Sequence, residues 1–234
     1  MHANSYGLMR SALEDLRLTD SLVAFTALDV GARVVDGQRL SYSSLFSGMK
    51  CSYLGMDIEP GENVDMVVEN PYDWKELKSD SFDLVMCGQA LEHIPYFWDV
   101  FQEMARVLKP EGSLIVIVPS KGAVHRYPVD CFRFQPDGLI LLASRYGLRV
   151  VSVTVDEGSY WGDLMLIAKK ESASFQASVL ESHVYTTDLT LISRVARRRR
   201  VLDIALSIMA LLIGDRAFMT VVDFRNRVRK LFAD

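Results

Sequence analysis

The chain has 234 residues, half of them hydrophobic and 24% charged. That is enough apolar material to pack a core and excludes a globally disordered chain. With 26 basic and 30 acidic side chains the net charge is −4, which excludes a broadly basic nucleic-acid binder, so no nucleic-acid partner is expected.

In chain order, Met9, Ala12, Leu13 and Leu16 repeat at helical spacing and predict an amphipathic helix over residues 5–17. Short apolar runs at 24–30, 51–58, 64–68, 82–87 and 113–118 read as strands. They are rich in Val, Ile, Leu and Met rather than cleanly alternating, as expected for a parallel sheet covered on both faces. Between the fourth and fifth runs, Phe97, Phe101, Met104 and Leu108 form a helical stripe, stopped by Pro110 and Gly112. Residues 135–147 read as a helix with Pro136 near its start and Gly147 just past its end. Two last strands are expected at 149–155 and 163–169. The alternation predicts an α/β fold, a doubly wound, seven-stranded, mostly parallel sheet.

Charge divides the chain. Residues 1–171 hold 16 basic and 24 acidic side chains, whereas residues 172–234 hold 10 and 6. We therefore expect a domain over 1–170 and a net-basic, helical C-terminal extension over 171–234. In that extension Arg197–Arg200 precede a 13-residue apolar run, 201–213, too short to span a bilayer and interrupted by Asp203. Three readings of it stay open: packing on the domain or on a second copy of the chain as a homodimer, lying in a membrane interface with the arginines at anionic lipid, or docking on a partner. Cysteines number three, with no CxxC. This argues against a disulfide scaffold and a cysteine zinc site, and suits a reducing compartment. Glu14 and Asp15 fall where the apolar part of a signal peptide would lie, so a cytoplasmic location is expected, with peripheral contact at the inner membrane face as the variant of it.

Two acids mark a ligand site. Asp29 and Gly31 close the first strand, and Asp57 and Ile58 close the second. Ligands of open α/β sheets bind at the carboxyl ends of strands. A glycine there lets backbone N–H groups approach, and an acid after the second strand accepts hydrogen bonds from ribose hydroxyls. The GxGxxG fingerprint of a nicotinamide enzyme is missing.

Further on, Phe82-Asp83-Leu84-Val85, Leu91-Glu92-His93-Ile94 and Arg106-Val107-Leu108-Lys109-Pro110-Glu111-Gly112 follow one another. With the two acids, this series resembles class I S-adenosylmethionine-dependent methyltransferases over roughly residues 20–170. The resemblance implies S-adenosyl-L-methionine as cofactor and S-adenosyl-L-homocysteine as product. It implies that Asp29, Gly31 and Ala32 wrap the methionine half and that Asp57 holds the ribose. Asn70 and Pro71, after the third strand, would contact adenine, and Gln89 and Ala90 would line the sulfonium end. One element departs from the family. Where its first loop carries two or three glycines, this chain has Gly31-Ala32-Arg33, with the next glycine only at Gly37. Two readings of this stay open: a longer loop over residues 34–44 compensates, with Arg33 meeting a carboxylate, or the cofactor site is weakened or lost.

After the fifth strand, residues 119–134 have no helix or strand period. They resemble the HxxPxDxxRF segment of bacterial sugar and surface-glycan methyltransferases. His125, Asp130 and His93 are the candidate catalytic residues, because a sugar hydroxyl is a poor nucleophile and benefits from a base. A competing role for His125 is to tie down its loop, for His93 to make structural hydrogen bonds, and for Asp130 to form an ion pair with Arg133. Arg126, Tyr127, Arg133, Tyr160 and Trp161 are candidate acceptor-binding residues, the arginines for carboxylate or phosphate and the rings for stacking. His125 and Asp130 alone are too few donors for a metal, so none is expected. The expected partner is a small-molecule or glycan acceptor. Two alternatives remain: a natural-product or quinone-type acceptor, and a non-catalytic module that keeps the fold.

Overall fold

The computed structural model describes residues 3–19, 23–35 and 40–171. The extension expected over 171–234 and the loop residues Asp36 and Gly37 lie outside the described residues, apart from Glu171.

Helix α1 (Ala3–Asp15) is followed by β1 (Phe25–Val30), a 3-10 turn (Tyr42–Phe46), β2 (Cys51–Asp57), β3 (Met66–Val67) and β4 (Phe82–Gly88). Then come α2 (Phe97–Val107), β5 (Leu108–Pro119), α3 (Pro136–Arg145), β6 (Leu148–Val155) and β7 (Asp163–Lys170). The strands form one seven-stranded sheet in the order β3-β2-β1-β4-β5-β7-β6. β1 to β5 run parallel, whereas β7 is antiparallel to both β5 and β6. The chain winds outward from β1 to β3 and then returns to lay β4 on the other side of β1. That reversal opens a crevice above the carboxyl ends of β1 and β4, the place where doubly wound sheets bind ligands.

Both faces of the sheet are covered, which explains the unbroken apolar runs. On one face Val85, Cys87, Val116 and Leu166 pack under Phe101, Met104, Leu139 and Ala143 of α2 and α3. On the other, Leu84, Met86, Ile115 and Ile167 pack under Met9, Ala12 and Leu13 of α1 and under Tyr42 and Phe46.

Three elements differ most from the sequence reading. The first helix starts and ends two residues early. Leu108 belongs to β5, not to the helical stripe, and pairs with Phe82. Pro110 lacks an N–H and restricts Lys109 to extended backbone, so the helix stops at Val107. Residues 109–112 then bulge, with Glu111 at φ +63°, before the ladder resumes at Ser113. Lys109 turns back to Asp83 Oδ2 at 2.8 Å, and that same oxygen accepts from Thr26 N–H at 2.8 Å. The FDLV and LKPEG segments thus brace the amino-terminal ends of β1 and β4, far from the crevice. β3 keeps only two of its five expected residues, because Val64 N–H is taken by Gly61 O in a turn.

Candidate active site

A cavity of about 610 Å³ lies over the carboxyl ends of β1, β2 and β4. Its volume falls within the roughly 300–1,000 Å³ of small-molecule sites. Asp29, Gly31, Ala32, Arg33, Asp57, Ile58, Pro71, Gln89 and Ala90, nine of the ten expected cofactor residues, all line it. So do His93, His125, Arg126, Tyr127 and Trp161.

At the end of β1, Asp29 is 1% exposed. Its Oδ2 accepts from the Tyr53 hydroxyl at 2.6 Å, while its Oδ1 is buried without a hydrogen-bond partner. Burial pushes its carboxyl up to about 7, against the Tyr53 hydrogen bond, with the Asp57 charge adding to the rise. Burial also raises the Tyr53 phenol, so it stays a neutral donor. Asn63 fixes that phenol, donating to its oxygen at 2.8 Å and to Ala32 O at 2.9 Å.

Gly31 has φ +77°, and a Cβ on it would fall 2.6 Å from Ala90 Cβ. A side chain there would close the gap between the ends of β1 and β4. Asp57 is held by backbone donors: Oδ1 accepts from Ile58 N–H at 2.8 Å and Oδ2 from Arg33 N–H at 3.1 Å. Oδ1 also accepts from Glu59 N–H at 3.3 Å, so it is Oδ2 that keeps a lone pair for a ligand hydroxyl. Arg33, where the resemblance predicts glycine, sends its guanidinium to Glu59 at 2.8 Å. Beyond Asp57, Val68, Pro71, Tyr72 and Trp74 make an apolar wall.

These observations fit S-adenosylmethionine. An orphaned acid suits an ammonium, a pre-held carboxylate suits a diol, a glycine-lined gap suits the chain between them, and an apolar slot suits a flat base.

The far end of the cavity comes from the turn after β4 and the loop after β5. Gln89 sits at φ +58°, a conformation few side chains adopt, and its Nε2 donates to Asp163 Oδ1 at 2.9 Å. Asp163 is fully buried at the start of β7 and also accepts from Ser159 Oγ at 2.8 Å and from Asn4. The rings of His93 and His125 meet edge to face at 4.8 Å, and Trp161 lies 4.3 Å from His125. His93 Nδ1 donates to Val129 O at 2.6 Å. Burial lowers the His93 pKa, and the neighbouring His125 adds to that lowering. Glu92 is fully buried, neither carboxylate oxygen has a hydrogen-bond partner, and burial pushes it up to about 8.

Four expected site residues do not reach the cavity lining. Asn70 Oδ1 caps a turn, accepting from Tyr72 N–H at 3.0 Å, and Pro71 takes the wall position instead. Asp130 and Arg133 form an ion pair behind His125. The Asp130 carboxylate is 1% exposed, and Arg133 holds it far below the usual carboxylate range. Asp130 Oδ2 accepts from His125 N–H at 2.7 Å and lies 3.3 Å from His125 Nδ1, so both the loop-anchoring and the ion-pair roles are real. Tyr160 is 66% exposed and packs edge-on against Trp161, its hydroxyl accepting from Ala123 N–H at 3.4 Å.

The sequence reading missed Tyr53, Asp163 and Trp74. Only Asp163 carried a signal, an acid opening an otherwise apolar strand.

Residues 25–116 match the family described as "Methyltransferase domain". Over 47 residues, a fifth of each chain, the sequence is 43% identical to an uncharacterised protein of Methanocaldococcus jannaschii. Among solved structures, the fold is similar to 1,6-didemethyltoxoflavin-N1-methyltransferase of Burkholderia thailandensis, whose structure holds 1,6-didemethyltoxoflavin and S-adenosylhomocysteine. The TM-score is 0.54 and the identity 14%, covering 73% of this chain and 78% of that one. It is also similar to an S-adenosylmethionine-dependent methyltransferase of Archaeoglobus fulgidus, with TM-score 0.53 and 15% identity over 70% and 94% of the two chains. A [4+2]-cyclase, SpnF, shares the fold as well, with TM-score 0.53 and 16% identity over 69% and 81%. Fold alone therefore does not fix the reaction, and the family match carries that step.

Fold, cavity and the match over residues 25–116, from β1 into β5, support an S-adenosylmethionine-dependent methyltransferase, with S-adenosylmethionine as its cofactor.

Proposed function

We propose that the chain transfers the methyl group to an oxygen acceptor held against His93, His125, Tyr127 and Trp161, and that the acceptor is a sugar hydroxyl of a surface glycan or glycolipid precursor. The observation that carries the reading is the change of character along the cavity. Its cofactor half is acids and apolar walls; its other end is two imidazoles among flat rings, with Arg126 beside them. Bound in the first half, S-adenosylmethionine supplies an electrophilic methyl on a sulfonium and leaves as neutral S-adenosylhomocysteine once an acceptor lone pair has taken that methyl.

The chain's own residues do the rest. Tyr127 and Trp161 offer faces on which a sugar ring stacks, and Arg126 is the cation for a phosphate or carboxylate on the acceptor. His93 and His125 are the side chains that activate the acceptor hydroxyl. Asp130 is a positioning residue, because it meets His125 and not the cavity. Asp57, Asp29 and the backbone at Gly31 and Ala32 hold the cofactor. Among the described residues no helix is long and apolar enough to cross a membrane. We place the reaction in the cytoplasm, with the net-basic segment 172–234 against the inner membrane face or a second copy.

The test is a methyl-transfer assay with labelled S-adenosylmethionine against nucleotide sugars, lipid-linked sugars, phenols, quinones and N-heterocycles. The expected product is a sugar O-methyl ether, with His125→Ala slowing turnover by about a hundredfold or more. Methylation confined to aromatic or nitrogen acceptors favours the second reading, a natural-product enzyme like the Burkholderia relative. Cofactor binding without turnover on any acceptor makes the domain a non-catalytic module.

A further inference from the structure

The loop after β5 folds back onto the turn after β4, with Cys131 N–H donating to Glu92 O at 2.7 Å. This brings His125 to two adjacent side chains, Glu92 and His93, that lie more than thirty residues before it in the sequence. One ligand atom from each of Glu92, His93 and His125 lies within 4.8 Å of the others. The pair weighed from sequence was His125 with Asp130. The fold turns Asp130 to Arg133 and delivers Glu92 and His93 to His125 instead.

Three features go beyond proximity. Glu92 is fully buried and both its oxygens lack a hydrogen-bond partner, which is costly unless a cation or proton is taken up. His93 is oriented through Nδ1 by Val129 O at 2.6 Å, which directs Nε2 toward Glu92, 3.8 Å from Oε1. His125 Nδ1 faces the Asp130–Arg133 pair, with Asp130 Oδ2 at 3.3 Å and Arg133 Nη2 at 3.4 Å, and its backbone N–H donates to Asp130 Oδ2 at 2.7 Å, which fixes the ring with Nδ1 turned to that pair. His93 is oriented as metal-binding histidines are, one ring nitrogen held by a carbonyl while the other is left to ligate.

We propose that Glu92, His93 and His125 bind one divalent first-row cation, Zn²⁺ foremost, at the acceptor end of the cavity. Two imidazoles and a carboxylate are a known donor set for such ions, and three protein ligands leave a position open. His93 and His125 line the cavity while Glu92 lies behind them, so the open position faces the acceptor. Tetrahedral ligation at about 2.1 Å needs donors about 3.4 Å apart, so small side-chain rotations close the site.

This deepens the proposed reaction and rests on it. An acceptor hydroxyl bound to the ion becomes acidic and releases its proton to water. Its oxygen then forms the O–CH₃ bond as the S–CH₃ bond breaks. The ion, rather than a free imidazole, makes the oxygen nucleophilic.

The test uses the full chain, stripped with a chelator and dialysed. Zn²⁺ is titrated by calorimetry, Co²⁺ by its visible d–d bands, and S-adenosylhomocysteine separately by calorimetry. Expected are one ion per chain and Co²⁺ bands of a nitrogen–oxygen site. Affinity should fall at least tenfold in Glu92→Gln and in His125→Ala, with circular dichroism confirming that each is folded. Should Glu92→Gln fail to fold, His93→Ala replaces it. No stoichiometric binding, or binding unchanged in His125→Ala and in a second folded variant, overturns the site. Binding of S-adenosylhomocysteine without the ion leaves the methyltransferase reading standing and removes only the metal. Binding of the ion without S-adenosylhomocysteine does the reverse.

Discussion

Gln89 Nε2 reaches Asp163 Oδ1 at 2.9 Å across 74 positions of sequence, tying the end of β4 to the start of β7. Gln89 pays for this with a left-handed backbone at φ +58°, and such outliers cluster at functional sites. Asp163 is fully buried and gathers Ser159 and Asn4 as well. Asp163→Ala should therefore destabilise the domain by about 1–3 kcal/mol, a melting shift of several degrees. Turnover should fall further than S-adenosylhomocysteine affinity, because Gln89 lines the cavity but Asp163 does not. Melting curves beside a binding isotherm decide it, and unchanged melting would remove the tie from the account.

The two ends of the Asp57–Arg33 contact make different predictions. Asp57 is the carboxylate held ready by Ile58 and Arg33 N–H, so Asp57→Ala should weaken S-adenosylhomocysteine binding by about ten- to a hundredfold. Arg33 serves Asp57 with its backbone, while its side chain meets Glu59 in an exposed pair worth little. Arg33→Ala should leave affinity within about threefold. A large loss in Arg33→Ala would mean that the guanidinium itself contacts the ligand, and no loss in Asp57→Ala would remove the ribose assignment.

How much of this was legible in the sequence follows from how local each signal is. β1, β2 and β4 were readable because buried parallel strands are unbroken apolar runs, and the acids and glycine closing them fall where the sheet reverses. Asp57 and Asp29 were therefore placed at the cavity. Asn70 was not, because Asx turns and ligand contacts use the same residue type, and only the fold shows that its oxygen is spent on Tyr72 N–H. The pairing of Glu92 and His93 with His125 was illegible for another reason: it depends on a loop of no regular period folding back onto the turn after β4. Tyr53 was hidden as one apolar residue in an apolar strand.

Glu103 and Arg106 carry part of the acid sensitivity of the fold, beside Asp83 and Asp130, whose carboxyls are also held low. Burial alone would raise the Glu103 carboxyl, but Arg106 and the Trp74 N–H at 2.9 Å hold it below its ordinary 4.5, against the nearby Asp73 charge. Arg106 in turn bonds Trp74 O at 2.9 Å and Leu77 O at 2.9 Å, fastening the segment after β3 to α2. With the folded pKa below the unfolded one, the stabilisation is present above pH 4.5 and is lost as pH falls through the lower folded value. Glu103→Gln should lower stability at neutral pH and flatten the acid limb of a urea-unfolding series. A parallel acid limb in wild type and variant would assign the sensitivity elsewhere.

Asp29 gives pH effects of opposite sign with and without ligand. Its carboxyl stands at about 7 because it is buried; Asp57 adds to the rise, Tyr53 opposes it, and Tyr42 and Cys87 are the other titratable groups around it. In the ligand-free protein the native state binds a proton between 3.8 and about 7 that the unfolded chain does not. Stability from this group is thus full below 3.8 and falls as pH rises toward 7. The ammonium of S-adenosylhomocysteine, by contrast, requires the charged carboxylate. Its affinity should fall as pH drops below about 7, by up to tenfold per unit. Asp29→Asn should bind more weakly at pH 8 and lose most of this dependence, whatever His93 and His125 contribute in both proteins. Calorimetric titrations from pH 5.5 to 8.5 on the two proteins make the comparison. Parallel profiles would show that the orphaned oxygen of Asp29 does not face the amino-acid end of the cofactor.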